Sequence, residues 1–388
     1  MKNTPDKSIQ TKSPRKRYDY LDIAKAITIF LVIVGHTTGN LDTPRFRLVL
    51  YAFHMPLFFM VSGVVIRTHR SSGYGVKHWL DFFRKNILAL AVPYFVWAVL
   101  YSHFSFENLL KLLYGSWERI GETQTVTSLW FLTCLFVARI LMELTLMSSK
   151  LFKKLDRHLY AAIIAVPAFA VGFLLPHPEH GYPWNADIAF VALGFMLAGY
   201  SIKEWLAALH EKSIWISAGL FAVCAAIFSA VIALQGDGLY LALMCKADYG
   251  NVWLFLLQGF SGSGMILFLS TVISKLWAGR EDLKVRKATL WIGKNTIGIY
   301  LLHKPVLQEI AVKGAVALGL PMPNVFTAVL CSIVTLPVCC LAIMVIDRYI
   351  PQLFGKFPKP EMIAVKEPLV PEEEQEPDEP ADAASAAE

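Results

Sequence analysis

Residues 22–36 read DIAKAITIFLVIVGH, an apolar segment of helical length that carries Asp22, Lys25 and His36. On an ideal helix the step of eleven positions from Lys25 to His36 spans about 16 Å and about three turns, so both side chains project from one face. Ionisable groups in a membrane helix are costly and normally face a bundle interior or a wet cavity, where they mark a site. The alternative is that Asp22 and Lys25 pair at the membrane interface while His36 caps the far end.

The composition indicates an integral membrane protein around this segment. Hydrophobic residues make up 55% and charged residues 17% of the 388 residues, and the mean hydropathy is +0.49. A soluble protein is less apolar than this. The net charge of +6 is divided among short basic clusters between apolar runs and forms no stripe or nucleic-acid motif. We therefore predict a polytopic protein of the lipid bilayer that binds no nucleic acid.

Apolar runs of roughly 18 to 24 residues, each long enough to cross about 30 Å of hydrocarbon, recur between short polar breaks. The third run contains Pro93, and the ninth is interrupted by Lys294 and Asn295. The pattern predicts an all-α bundle of about ten transmembrane helices. The predicted spans are 21–39, 48–66, 86–103, 127–147, 159–175, 185–201, 214–234, 252–273, 288–304 and 323–346.

The distribution of Lys and Arg predicts how the bundle is oriented. Basic residues are dense before the first span and after the second, fourth, eighth and tenth, and sparse in the other loops. The positive-inside rule assigns the dense set to the cytoplasm, so both termini are expected there and the number of crossings is even. We predict a multi-pass protein of the cytoplasmic (inner) membrane, with Lys25 near the cytoplasmic end of its helix and His36 in the outer half.

Three regions are predicted along the chain. Residues 1–20 form a basic cytoplasmic tail, residues 21–348 the membrane domain, and residues 349–388 an acidic tail rich in Pro, Glu and Ala that we expect to be disordered. No small-residue cleavage site follows the basic N-terminal segment, so the first span is expected to be retained. The six cysteines show no metal-ligand spacing, and no metal site is predicted.

The second span and its exit, FHMPLFFMVSGVVIRTHR (residues 53–70), hold a second group of candidates. His54 lies where this helix opens, and the span delivers Arg67 and Arg70 to the cytoplasmic rim as neighbours three residues apart. Two guanidiniums so placed offer planar, permanently charged donors for phosphate oxygens. The alternative is that the two arginines only anchor the topology.

Two further segments contain candidate side chains. In SLWFLTCLF (residues 128–136), Trp130 falls near the outer interface, where an aromatic belt also explains a Trp. In WIGKNTIGIYLLHKP (residues 291–305), Asn295 and His303 interrupt an apolar span beside Lys294. Snorkelling of Lys294 and a headgroup position for His303 are the structural alternatives.

The joint order of these patterns is specific, although each one alone has a structural explanation. The series K-x10-H, FHMPLFFxxSG, RxxR, LWFL and IGKNTIGIYLLH resembles acyltransferase family 3 of integral membrane O-acyltransferases. Within that family the chain is most similar to the carbohydrate O-acetyltransferases related to fucose 4-O-acetylase. The resemblance covers about Tyr18 to Asp347, and it implies a ten-span architecture.

The resemblance also implies an activity. It predicts an enzyme that moves an acetyl group from acetyl-CoA on the cytoplasmic side to a hydroxyl of a cell-envelope or exported polysaccharide or glycolipid. Acetyl-CoA is then a substrate, and no cofactor is expected to be tightly bound. His36 matches the family's essential histidine, Lys25 the basic residue of its R/K-x10-H motif, and Arg67 and Arg70 the RxxR motif associated with the acyl donor. Many members have Arg at the position of Lys25, and Lys lacks the bidentate fork of Arg.

We expect His36 to act as general base toward the acceptor hydroxyl, with an acetyl-histidine intermediate as the alternative. Motif match assigns substrate binding to His54, Trp130, Asn295 and His303. Two other functions compete with this one. A transporter with an intramembrane Lys/His relay leaves the joint motif unexplained, and a non-catalytic subunit tethered by the acidic tail leaves the intact motif residues unexplained.

Overall fold

The computed structural model describes residues 18–37, 45–66, 74–102, 105–123, 125–322 and 324–357. These residues form sixteen α-helices and no β-strand, and an isolated bridge joins Leu243 to Asp248. Most of the two predicted tails lies outside the described residues. The helices are α1 (Asp19–Gly35), α2 (Arg45–Tyr51), α3 (His54–Val65), α4 (Val76–Asn86), α5 (Val92–Tyr101), α6 (Phe106–Tyr114), α7 (Trp117–Glu122), α8 (Trp130–Ser148), α9 (Arg157–Leu174), α10 (Ile188–His210), α11 (Ile214–Gln235), α12 (Val252–Leu276), α13 (Lys284–Lys294), α14 (Thr296–Val306), α15 (Lys313–Ala317) and α16 (Val325–Tyr349).

Short helical turns of other types connect several of these helices. A π-helical turn at Ile87–Ala91 joins α4 to α5, and another at Leu307–Val312 joins α14 to α15. The 3-10 turns are Thr127–Leu129, Ser149–Leu151, Pro183–Asn185, Gly236–Gly238, Met244–Lys246 and Pro351–Phe354. The turn at Thr127–Leu129 leads directly into α8 and contributes to the site described below.

The membrane-spanning character of the fold is confirmed. Eight segments of the described chain are long and apolar enough to cross a membrane, and they coincide with eight of the ten predicted spans. The predicted first span is α1, whose 17 residues rise about 25 Å and fall slightly short of the hydrocarbon thickness. The predicted ninth span is divided at Asn295 into α13 and α14. The number of crossings and the cytoplasmic termini stay predictions. The eight segments are Arg45–Val65, Val76–Tyr101, Thr127–Leu151, Arg157–Leu174, Pro183–His210, Ile214–Gly238, Val252–Leu276 and Val325–Tyr349.

Helix α1 lies at the centre of the bundle. Twelve of its 17 residues are buried, and it packs against α3, α12, α13, α14 and α16. Helix α11 has no charged residue and is more apolar than α1, but it buries only Ser217, Phe228 and Val231 and leaves Trp215 and Leu234 more than three-quarters exposed. A helix that is apolar all round is either enclosed by protein or faces lipid. We therefore assign α1 to the core and α11 to the lipid-facing rim.

Helices α3 and α10 approach each other closely at two glycines. A Cβ added to Gly63 would overlap the carbonyl oxygen of Met196, and a Cβ added to Gly199 would overlap that of Met60. Small residues at such a crossing let two backbones touch. This contact fixes α3, and therefore the position of His54 at its start, against the wall formed by α10.

Gly63→Ala and Gly199→Ala are expected to destabilise the protein, because the added methyl group meets rigid backbone. Overpacking of this kind costs about 1–3 kcal/mol. The measurement is the thermal midpoint of the detergent-solubilised protein, read by the loss of its monodisperse peak. Gly219→Ala in α11 is the matched control, since nothing lies within 4 Å of a Cβ at that position. A midpoint of Gly63→Ala equal to that of Gly219→Ala would contradict the close α3–α10 contact.

Candidate active site

A cavity of about 540 Å³ lies where α1 and α14 end and where α3 and α8 begin. Helix α2 and the segment 241–246 complete its walls. Three of the eight predicted site residues line it, and the remainder of its wall is rich in polar and aromatic side chains. The side chains used below are His36, Arg47, Tyr51, His54, Trp117, Thr127, Ser128, Trp130, Cys245, Lys246, Tyr300, Lys304 and Gln308.

His36 directly follows the last residue of α1, so its ring projects from the end of the central helix. Its Nδ1 lies 3.1 Å from the hydroxyl of Tyr51, and its backbone carbonyl accepts a hydrogen bond of 3.2 Å from Gln308 Nε2. A neutral imidazole has one donor and one acceptor nitrogen. When Nδ1 donates to Tyr51, Nε2 is left as the acceptor, which is the state that a general base requires.

Arg47 and Tyr51 lie one turn apart on α2 and hold the position of His36. The guanidinium carbon of Arg47 is 5.0 Å from the centre of the Tyr51 ring. The Tyr51 and His54 rings meet edge to face at 4.8 Å. A chain of contacts therefore runs from a permanent positive charge through Tyr51 to His36.

His54 and His303 each have a defined tautomer. The Nδ1 of His54 lies 2.7 Å from the Leu50 carbonyl oxygen, and that of His303 lies 2.7 Å from the Tyr300 carbonyl oxygen. A carbonyl only accepts, so Nδ1 carries the proton and Nε2 is an acceptor in the neutral ring. The fully buried His303 ring lies 5.3 Å from His36. Its Nε2 has no hydrogen-bond partner among the described residues.

Helix α14 is tied to the turn before α8 by two side chains. Tyr300 donates to the Ser128 carbonyl oxygen, and Lys304 Nζ donates to Thr127 Oγ1 at 3.1 Å. Residues 300, 303 and 304 share one face of a helix. The same face therefore presents His303 to His36 and Lys304 to the cavity, while Trp130, only 6% exposed, closes the adjoining wall.

The structure brings four of the predicted site residues together. His36, His54 and Trp130 line one cavity, and His303 packs against His36. They come from α3, α8, α14 and the end of α1, which are far apart in the sequence. The roles predicted for them stay predictions, but these side chains are placed where they can act on one substrate.

The other four predicted residues lie elsewhere or are not described. Lys25 forms an ion pair of 2.7 Å with the buried carboxylate of Asp22, and it does not line the cavity. An Asp22–Lys25 pair of this kind belongs to the structural alternative stated in the sequence analysis. Asn295 lies at the junction of α13 and α14. Arg67 and Arg70 lie outside the described residues.

Several residues of the cavity were missing from the predicted site. Among these, Arg47 and Tyr51 lie four residues apart on α2, and Tyr300 and Lys304 lie four residues apart on α14, a spacing that places side chains on one helical face. This spacing is a signal by which the sequence could have identified these residues. The segment that holds Cys245 and Lys246 is a short 3-10 turn with no such signal. Burial raises the pKa of the Cys245 thiol to about 12, so this thiol is protonated near neutral pH and is a poor nucleophile.

Helix α7 presents Trp117 to the cavity, and we refer to α6, α7 and residues 175–187 together as the cap. His177 Nδ1 lies 2.6 Å from Asp187, and its Nε2 lies 3.0 Å from Glu118. Asn185 Oδ1 accepts a hydrogen bond of 3.0 Å from the backbone N–H of Trp117. These contacts tie the loop to the helix that presents Trp117 to the cavity. The two carboxylates bind opposite edges of the imidazole. Among the described His, Cys, Asp and Glu side chains, no group has the arrangement needed to hold a metal ion.

The sequence of this chain is similar to that of known proteins. The family model described as "Acyltransferase domain" matches residues 18–344. The nodulation protein NolL of Mesorhizobium japonicum is 27% identical over 203 residues, which cover 46% of this chain and 47% of that protein. The chain therefore spans about half the length of this curated relative. No solved structure matches the chain.

The cap is expected to depend on pH through His177. Burial acts to lower the pKa of His177, but hydrogen bonds to Asp187 and Glu118 outweigh it, so the pKa is raised above 6.5. The resulting stabilisation is complete below the unfolded-state pKa of about 6.5 and is lost as pH rises through the higher folded-state pKa. Thermal midpoints of wild type and His177→Ala, measured from about pH 6 to about pH 9, should converge at the alkaline end.

His180→Ala is the matched control for this prediction, since His180 is an exposed histidine of the same loop. Its midpoint should follow that of wild type at every pH. A difference between wild type and His177→Ala that is constant across the range would show that the charge of His177 does not stabilise the cap.

Proposed function

The chain belongs to the acyltransferase family whose domain model covers most of its length, and from that premise we propose that it is a carbohydrate O-acetyltransferase. The family and the apolar helices together make it a multi-pass membrane acyltransferase. In our proposal the donor is acetyl-CoA, the acceptor is a hydroxyl of a cell-envelope or exported polysaccharide or glycolipid, and the protein resides in the cytoplasmic membrane.

The observation that carries the proposal is the placement of His36 at the cavity with Nδ1 held by Tyr51. In the proposed reaction the acceptor oxygen attacks the thioester carbonyl carbon while Nε2 of His36 takes the hydroxyl proton. The tetrahedral intermediate then collapses, the C–S bond breaks, and the proton passes from His36 to the departing thiolate of coenzyme A. The products are an O-acetyl ester and free coenzyme A.

Arg47 and Tyr51 support this step. Tyr51 fixes the orientation of the His36 ring, and the Arg47 guanidinium lies over the Tyr51 ring and lines the same cavity as His36. A fixed cation in a low-dielectric site stabilises negative charge that develops on the thioester oxygen. Neither group needs to move during the reaction, so the free energy needed to orient them is supplied when the protein folds.

The donor must reach this cavity from the cytoplasmic side, where acetyl-CoA is made. We propose that Arg67 and Arg70 bind its phosphates at the cytoplasmic rim. Lys25 is held by Asp22 near the same predicted end of α1, so it is proposed as a point charge on the donor route. An acetyl-histidine intermediate on His36 is the less favoured variant.

His36→Ala is expected to lower the rate of acetyl transfer about a hundredfold to ten-thousandfold, because the general base is lost. Tyr51→Phe should lower it less, since the ring of His36 remains. The measurement is the transfer of labelled acetyl groups from acetyl-CoA to glycan in membranes, with mild base to release the esters. His180→Ala is the control. A rate for His36→Ala close to wild type, in protein shown to be folded and inserted, would falsify the role of His36.

Arg67→Ala and Arg70→Ala are expected to raise the KM for acetyl-CoA, because each removes a charged donor to phosphate. Loss of such a bond costs about 1.5–3 kcal/mol, or about tenfold to a hundredfold in affinity. Arg84→Ala is the control, since Arg84 is an exposed arginine of α4. An unchanged KM in both variants would place the donor phosphates elsewhere.

A further inference from the structure

The cavity has a strongly one-sided charge. Arg47, Lys246 and Lys304 line it, and none of the described residues that line it is an Asp or a Glu. Lys246 is exposed, and its amino group lies 4.6 Å from the centre of the Trp117 ring. A cleft lined by one sign of charge within low-dielectric walls concentrates ligands of the opposite sign.

Among the partly buried lysines of the described chain, Lys275 and Lys304 have no carboxylate in an ion pair, but Lys275 donates to three backbone carbonyls and to a serine hydroxyl, whereas Lys304 has one protein acceptor. Its Nζ donates to the neutral hydroxyl of Thr127, and the described part of the chain supplies no carboxylate within ion-pair distance of it. Lys25 and Lys111, by contrast, each pair with a carboxylate at 2.7 Å. A partly buried ammonium without an anionic partner is costly in a membrane bundle. The missing partner is therefore expected to come from a ligand.

We infer that the acceptor is an acidic glycan, which carries a carboxylate or a phosphate close to the hydroxyl that is acetylated, and that Lys304 binds this acidic group. The inference rests on the proposed function and names the substrate class of the same site. Lys304 is then a specificity-determining residue. Trp117 and Trp130 offer aromatic faces against which the apolar side of a sugar ring packs.

The position of Lys304 favours the acceptor over the donor as the source of this anion. Lys304 directly follows His303, whose ring lies 5.3 Å from His36, and Lys304 and His36 line the same cavity. In acetyl-CoA the phosphates are separated from the thioester by the whole pantetheine arm. With the thioester at His36, those phosphates lie far beyond Lys304, whereas an acidic group on the acceptor sugar lies within its reach.

The test uses the full-length protein in membranes from cells deleted for the gene and re-expressing each variant. Glycans extracted from the envelope of the deletion strain are separated by anion exchange into neutral and acidic fractions, and each is offered with labelled acetyl-CoA. One portion of the acidic fraction is first carboxyl-reduced, and another is dephosphorylated. Wild type is expected to label the acidic fraction and to lose this labelling after one of the two treatments.

Three variants assign the effect to the side chain. Lys304→Met is expected to raise the KM for the acidic acceptor about tenfold to a hundredfold, while the KM for acetyl-CoA is unchanged. Lys304→Arg retains the charge and should restore most of the affinity. Lys313→Met is the matched control, because Lys313 is exposed and pairs with Glu309. If Lys304→Met fails to fold, wild type alone tests the inference, because it should lose labelling of the acceptor whose acidic group has been removed by carboxyl reduction or dephosphorylation.

The outcomes separate this inference from the proposed function. Equal labelling of neutral and acidic glycans, or no effect of Lys304→Met on the acceptor KM, overturns the inference and leaves the acetyltransferase in place. If the defect of Lys304→Met appears with acetyl-CoA but disappears with S-acetylpantetheine, which lacks the phosphates, the anion belongs to the donor and the inference is wrong. Absence of ester on every fraction, with wild type and His36→Ala alike, overturns the proposed function itself.

Discussion

The structure depends on the requirement that every polar group inside an apolar bundle has a partner. Most hydroxyls of the helices meet it locally. Thr28, Ser270 and Thr335 each donate to the carbonyl four residues earlier. Among the buried side-chain atoms left without a partner in the described chain, Ser128 Oγ and His303 Nε2 lie at or next to the cavity. The site is therefore a place where the bundle leaves hydrogen-bonding capacity for a ligand.

Hydropathy predicted the fold well because it responds to the length of each apolar run, and length is what the bilayer demands. It does not report what covers a helix. Residues 19–35 and 214–235 are both mainly apolar, yet the first, which carries two aspartates and a lysine, is enclosed by other helices and the second is largely exposed. The break between α13 and α14 falls where the polar pair Lys294 and Asn295 interrupts the apolar run.

The site was only partly predictable, and Lys25 shows why. Lys25 and His36 share a helical face, but the helix rises about 16 Å between them, so a common face does not make a common site. The four residues that do meet, His36, His54, Trp130 and His303, were found through a joint motif. Arg47, Tyr51 and Lys304 belong to the same cavity, but only their helical spacing signalled it, and spacing alone does not say which faces meet.

The separation between the two ends of α1 fits the chemistry of the proposed reaction. A thioester donor of this type has its charge at one end of a long linear arm and its reactive carbonyl at the other. Lys25, paired with Asp22, lies at one end of the central helix, and His36 lies at the other. A bundle that admits the arm along this axis keeps the donor phosphates in water while the carbonyl reaches the base. In this proposal Lys304 is then available to bind the acceptor, while the positive charge at the other end of α1 lies on the route of the donor.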